Sequence, residues 1–123
     1  MTQARIDLGK WGEELALKKV KQLGYKCIKR NYRCALGEID IIAKHGDCLV
    51  FLEIKTRKGR SIGYSKEAIN HRKKQQISKV ALSYMKKYNC YDVHSRFDVV
   101  AINVINGKAE IEVITNAFEL AYE

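Results

Sequence analysis

The stretch from Gly37 to Arg57, GEIDIIAKHGDCLVFLEIKTR, constrains the fold of this chain more than any other. Two apolar, β-rich runs, Ile39–Ala43 and Cys48–Ile54, flank His45-Gly46-Asp47. Gly-Asp between such runs signals a two-residue hairpin, because glycine supplies the positive φ that a type II′ turn needs at its first central position. With Gly46 and Asp47 as the turn, facing residues carry numbers that sum to 93. Asp40 then opposes Glu53, Glu38 opposes Lys55, and Ile42 opposes Phe51. Side chains alternate along a strand, so Glu38, Asp40, Glu53 and Lys55 project from one face. Two carboxylates would stand directly across from each other, with Cβ atoms roughly 4.5–5.5 Å apart. A three-residue loop at 45–47 would slip the pairing by one and abolish that opposition.

Like charges placed directly opposite are destabilising, and Ile42, Phe51 and Ile54 partly shield this pair from water. Three remedies are open: a divalent hard cation bridging the carboxylates, neutralisation by Lys55, or a proton held on one acid through a raised pKa. An E-x-K triplet alone is common on exposed strands. The specific signal is an acid, a hairpin and E-x-K in mutually opposed register.

A length of 123 residues fits one domain, predicted over 1–123, with enough chain to bury a core. A hydrophobic fraction of 46% supports a globular fold over disorder. No apolar run approaches the ~20 residues that span a membrane, and MTQARIDLGKW has no secretory apolar region. The expectation is a cytoplasmic protein with no membrane partner. Cys27, Cys34, Cys48 and Cys90 form no C-x-x-C and have no matching histidine pattern, which argues against zinc. Reduced thiols are the expected state, with Cys27 and Cys48 acting as small apolar residues in strands. The net charge of +9, from 23 Lys and Arg against 14 Asp and Glu, points to a polyanionic partner, nucleic acid above all. A basic surface that serves only solubility would have the same balance, and phosphate contacts carry no sequence information.

Residues 3–23 are predicted as a helix, with Leu8, Trp11, Leu15, Ala16, Val20 and Leu23 in one apolar stripe and Gly24 ending it. Glu13 falls at the edge of that stripe. A short strand is predicted over 25–32, then strands over 36–44 and 48–56 and a basic loop over 57–64. A second, Lys-rich helix is predicted over 66–88, with Asn70 favoured as cap and Ile77, Val80, Ala81, Tyr84 and Tyr88 buried. A strand over 96–105 turns at Asn106-Gly107 into another over 108–115, and 116–122 is read as a helical turn. The order α-β-β-β-α-β-β requires a parallel crossover between the third and fourth strands and hairpins on either side. The fold class is therefore α/β, a mixed central β-sheet flanked by helices.

These residues resemble a known family. An acid on the second strand and E-x-K on the third, in an αβββαβ core, resembles the PD-(D/E)xK or restriction-endonuclease-like nuclease superfamily. Gly12-Glu13-x-x-Ala16, Asn31, Gly37-Glu38-Ile39-Asp40, Phe51-Leu52-Glu53-Ile54-Lys55-x-Arg57, Lys73 and Arg96-Phe97-Asp98 resemble the bacterial YraN-type family, considered related to archaeal Holliday junction resolvases. The resemblance covers nearly the whole chain. It implies that Asp40, Glu53 and the carbonyl of Ile54 hold Mg²⁺ or Mn²⁺, that Lys55 orients or deprotonates the attacking water, and that Glu13 is an additional acid. Asp98 reads equally as a structural acceptor or a site residue. Glu38 reads as a partner of Lys55 or as a simple cross-strand ion pair.

The leading expectation is a metal-dependent endonuclease that hydrolyses phosphodiester bonds in DNA, extending by resemblance to branched or structured DNA. Arg57, Lys58, Arg60 and Lys73 are the expected nucleic-acid contacts. A resolvase-like mechanism needs two active sites and so implies a homodimer. The alternatives are a non-catalytic nucleic-acid-binding module on the same fold and a protein-interaction factor.

Overall fold

A computed structural model describes residues 2–58, 70–90 and 92–119, with side chains from Leu8 onward. The elements are α1 (Thr2–Gln22), β1 (Lys26–Cys34), β2 (Gly37–His45), β3 (Cys48–Lys58), α2 (His71–Lys87), β4 (His94–Ile105) and β5 (Lys108–Phe118). The strands form one five-stranded sheet in the order β1-β2-β3-β4-β5. Only β3 and β4 are parallel, and the other three pairings are antiparallel. This is the mixed α/β architecture read from the sequence, and it is compatible with a restriction-endonuclease-like core.

The central strands show why two helices are needed. Leu49–Leu52 and Phe97–Ile102 are buried without interruption, the pattern of strands covered on both faces. Val50 and Leu52 pack with Ala16, Leu17 and Val20 of α1, together with Ile41, Ala43, Val100 and Ile102. Leu49 and Phe51 point the other way, to Ile77, Val80, Ala81, Tyr84 and Met85 of α2. The helices therefore lie on opposite faces of the sheet.

Local chemistry sets the ends of these elements. Gly24, at φ 94°, closes α1. The Tyr25 N–H donates to the Val20 carbonyl at 2.9 Å and the Gly24 N–H to that of Lys21 at 3.0 Å, a Schellman cap. Asn70 caps α2 by accepting the Lys73 N–H at 2.9 Å. Gly46 has φ 61° while Asp47 is not in the left-handed region, as a type II′ turn requires. Asn106 and Gly107 both have positive φ, 51° and 75°, which is the type I′ pattern.

Several expectations are corrected. Trp11 and Leu23 are exposed at 39% and 47% and do not join the buried stripe. The closest approach of α1 to the sheet is at the neighbouring Gly12, and Leu23 lies past the last helical residue. Tyr88, at the C-cap of α2, is exposed at 44%, and Met85 is buried in its place. β3 runs on to Lys58, so the predicted loop begins later; Arg60 and 59–69 lie outside the described residues. Residues 116–118 are strand, not helix, because Phe118 pairs with Phe97 and stacks on its ring at 4.7 Å. A register shift in the β4–β5 ladder between Phe97 and Val99 is absorbed by Asn116 at φ 51°.

A candidate active site where two strands part

The β2–β3 ladder follows the predicted register from His45–Cys48 to Ile41–Leu52 and ends there, one pair before Asp40 and Glu53. Below that point β2 continues against β1 only. A facing change accompanies the parting: Ile41 and Ala43 pack on the α1 side, while Ile39 packs with the α2-side core. On β1, the partner pairs step from Arg30–Ile41 to Tyr32–Ile39 over Asn31, whose φ of 51° is left-handed. Asparagine tolerates that conformation better than most residues, so Asn31 is the kink that sits beside Asp40. Its role was not derivable from strand periodicity. An asparagine inside a strand run, and its place in the resemblance, were the available signals.

The acid pair occupies the resulting gap. Asp40 Oδ2 accepts the Ile54 backbone N–H at 2.8 Å, so a side chain takes the place of a ladder partner. Glu53 is largely buried, its side chain 12% exposed, with Lys73 Nζ 3.6 Å from Oε2. Burial, then the charge of Asp40 and a hydrogen bond with it, push the Glu53 carboxyl up to about 8, against smaller opposing effects of Lys73 and Lys55. A hydrogen bond between two carboxyls exists only if one keeps its proton. Of the three remedies considered for the opposed acids, a retained proton on Glu53 is the one this geometry favours in the absence of a cation. Lys73, on α2, stabilises the Glu53 charge more than Lys55, two residues along the strand, does.

Glu13 of α1 shares a cavity with Asp40 and Lys55, and Glu53 is not part of its lining. The cavity, of about 830 Å³, is also lined by Asn31, Arg33 and Glu38. Gly12 permits this approach: a Cβ there would collide with Thr56 Oγ1 on β3. Glu38 lines the cavity too, but its ion pair is with Arg33 at 2.7 Å, its β1 neighbour, and not the Lys55 opposition expected from the hairpin. The β2–β3 ladder stops at Ile41–Leu52, before a Glu38–Lys55 pair could form in it. Arg57 and Lys58 continue β3 past the acid pair, Lys58 exposed and Arg57 half-buried. Asp98 belongs elsewhere: it is fully buried and hydrogen-bonded by Tyr25, Arg96 and Asn116.

Among the described residues no three His, Cys, Asp or Glu side chains gather closely enough to hold a metal by themselves. A hard cation that keeps several waters asks for less, one or two carboxylates and a carbonyl. Two acids that interact in a half-shielded gap, one with its carboxyl pushed up by the other, are a donor set that such an ion fits. All four cysteines are free thiols and none lies in this cavity.

The fold and the gap together define a mixed α/β domain with paired acids and two lysines where adjacent strands separate. The family model described as "Uncharacterised protein family UPF0102" matches residues 12–102, a span that takes in Glu13, Asp40, Glu53, Lys55 and Lys73. The chain belongs to this family. It is 47% identical over 116 residues to a UPF0102 protein of Geobacter sulfurreducens, covering 94% of this chain and 91% of the relative. It is 42% identical over 122 residues to one of Syntrophus aciditrophicus, covering 99% and 95%. A UPF0102 protein of Clostridium botulinum is 44% identical over 117 residues, covering 93% and 95%. Among the described residues no helix is long and apolar enough to cross a membrane.

Proposed function

We propose that the protein is a metal-dependent endonuclease of the PD-(D/E)xK class that hydrolyses phosphodiester bonds in DNA. The observation that carries this reading is the Asp40–Glu53 pair, held together at a cost in a partly buried gap with Lys55 and Lys73 beside it. A fold has no stability reason to keep two carboxyls in that contact, since like charges across a hairpin destabilise it.

Asp40 and Glu53 would hold Mg²⁺ or Mn²⁺. The carbonyl of Ile54 is the expected third donor, because the N–H and C=O of one strand residue point to the same edge and the Ile54 N–H already points to Asp40. When bound, the ion supplies Lewis acidity toward the phosphoryl oxygen and a lowered pKa for coordinated water. Lys55 contributes a positive charge at the acid pair, suited to orienting the nucleophilic water and to countering charge on the pentavalent phosphorus. Lys73 is placed to offset Glu53 and to meet a phosphate oxygen. Glu13 is placed at the mouth of the cavity to accept from water. The +9 net charge provides long-range attraction toward the substrate backbone. Arg57 and Lys58, at the end of β3, extend that surface next to the site.

Cleavage of linear duplex, single strand, flap, four-way junction and RNA, each with Mg²⁺ and with Mn²⁺, tests the reading. Wild type cuts at least one DNA substrate, and Asp40→Ala and Glu53→Ala cut none while still binding. Equal cutting by wild type and both variants would remove the assignment. Binding without cutting by every protein under every condition would leave a nucleic-acid-binding module on a nuclease fold. Retention of the branched substrates over the linear ones, and a dimer in solution, would extend the resemblance to junction resolvases.

A further inference from the structure

A second cavity, of about 600 Å³, lies on the α2 side of the sheet, between the β1–β2 turn and α2. Its helical wall is Arg72, Gln75, Gln76 and Lys79, at the i, i+3, i+4, i+7 spacing that places four side chains on one face. Its opposite wall is Leu36 at the tip of the turn, an apolar side chain 50% exposed. Lys73 lines it as well and ties it to the acid pair, since the same ammonium stands 3.6 Å from Glu53. The turn leaves room for Gln76 only because residue 37 is glycine: a Cβ there would fall 2.9 Å from Gln76 Nε2.

The chemistry of these walls is asymmetric. The lining holds three cations and no carboxylate, and among the described residues neither Arg72 nor Lys79 is engaged in an ion pair. Two primary amides between those cations offer both donors and acceptors, and Leu36 offers an apolar edge. A nucleotide unit presents the complement: phosphate for the cations, a base edge for the amides, and a flat apolar face. A paired base has its edge occupied and its faces stacked, so the occupant must be unpaired.

Resting on the nuclease reading above, we propose that this cavity is a subsite for an unpaired nucleotide of the DNA strand, next to the phosphodiester held at Asp40 and Glu53. Arg72 and Lys79 take the phosphate, Gln75 and Gln76 the base edge, and Leu36 packs on the base.

Fluorescence anisotropy of labelled oligodeoxynucleotides, with the full chain in EDTA so that nothing is cleaved, tests this. The probes are a single strand, the same strand with abasic positions, and a duplex of equal length. Arg72→Ala/Lys79→Ala flattens the salt dependence of single-strand binding by about 1.4 in log–log slope, two contacts at roughly 0.7 each. Leu36→Ala/Gln75→Ala, on exposed and half-buried positions, removes the preference of wild type for the intact over the abasic strand and leaves duplex affinity unchanged. If wild type binds but Leu36→Ala/Gln75→Ala leaves that preference intact, or if wild type binds intact and abasic strands alike, the subsite is refuted and the nuclease reading stands. If wild type binds no probe at ~50 mM salt, where electrostatic binding is strongest, the nucleic-acid reading falls and takes the subsite with it.

Discussion

Two buried acids in one sheet have been treated in opposite ways. Asp98, on β4, has no exposed surface, yet both of its oxygens are answered. Tyr25 donates to Oδ2 at 2.6 Å, the Arg96 Nε–H reaches both oxygens at 3.0 and 3.1 Å, and the Asn116 N–H donates to Oδ1 at 2.9 Å. Around it, Arg96 also donates to His45 Nδ1 at 2.8 Å, and the His45 ring stacks on Tyr25 at 4.2 Å. Glu53, on β3, is less buried, but its nearest neighbours are another carboxyl and a lysine at 3.6 Å. Asp98 and Arg96 therefore tie the α1–β1 connection, β2, β4 and β5 together, whereas Glu53 carries an unfavourable interaction. On the proposed reading the contrast separates an acid retained for the fold from one retained for chemistry: the first has its donors inside the protein, the second would take a cation from outside.

The comparison breaks first at Asp98. Removing one partner of a buried ion pair strands the other, at a cost of about 3–5 kcal/mol. Asp98→Ala should lower stability by that amount in urea unfolding, and a change under ~1 kcal/mol would show that the network around Asp98 is slack. The opposite sign is expected at the other acid. Between roughly pH 4.5 and 8 the unfolded chain has released the Glu53 proton while the folded chain keeps it. Stability of the metal-free protein should therefore fall as pH rises through that window, by on the order of a few kcal/mol. Glu53→Gln, which cannot ionise, should be near wild type at pH 5, more stable at pH 8, and inactive in cleavage. A variant less stable than wild type at both pH values would mean that Glu53 is an ordinary structural acid. Mg²⁺ should raise the wild-type melting temperature more at pH 8 than at pH 6, because it displaces that proton.

Smaller effects sharpen the contrast. Tyr25→Phe leaves Asp98 with its other donors and should cost about 1.5–3 kcal/mol, the range for hydrogen bonds to charged groups. Burial and the Asp98 contact push the Tyr25 hydroxyl up to about 12 from 10.0, so wild type should lose stability as pH rises between those values. The phenylalanine variant should lack that loss. Glu38→Ala, which removes an exposed pair with Arg33, should change stability by no more than about 0.5–1 kcal/mol. A larger loss would show that the pair holds β2 in its departure from β3.

Much of this was legible in the chain. The Gly46-Asp47 turn set a register that the β2–β3 ladder follows from His45–Cys48 to Ile41–Leu52. The element order, the Asn70 cap and the Asn106-Gly107 turn were likewise local matters, decided by φ preferences and side chains acting within a few residues. Asp40 and Glu53 do interact, but not as the directly opposed ladder pair expected from the hairpin. The ladder stops one pair short, and the side chain of Asp40 accepts the Ile54 N–H instead.

Three things depended on packing between distant segments. Periodicity left Glu13 at the edge of a helical stripe; only the approach of α1 at Gly12 brings it into one cavity with Asp40. Periodicity and charge did not separate Lys73 from the other lysines of α2, and only the resemblance marked it, until that helix lay across the sheet and brought it to Glu53. Asp98 was ambiguous in sequence, and the convergence of Tyr25, Arg96 and Asn116 made it structural. Turns, caps and strand register are short-range and can be read from neighbours along the chain. The environment of a charge is set by what folds around it, so tertiary structure alone decided which of these acids is fully hydrogen-bonded and which stands beside another carboxyl.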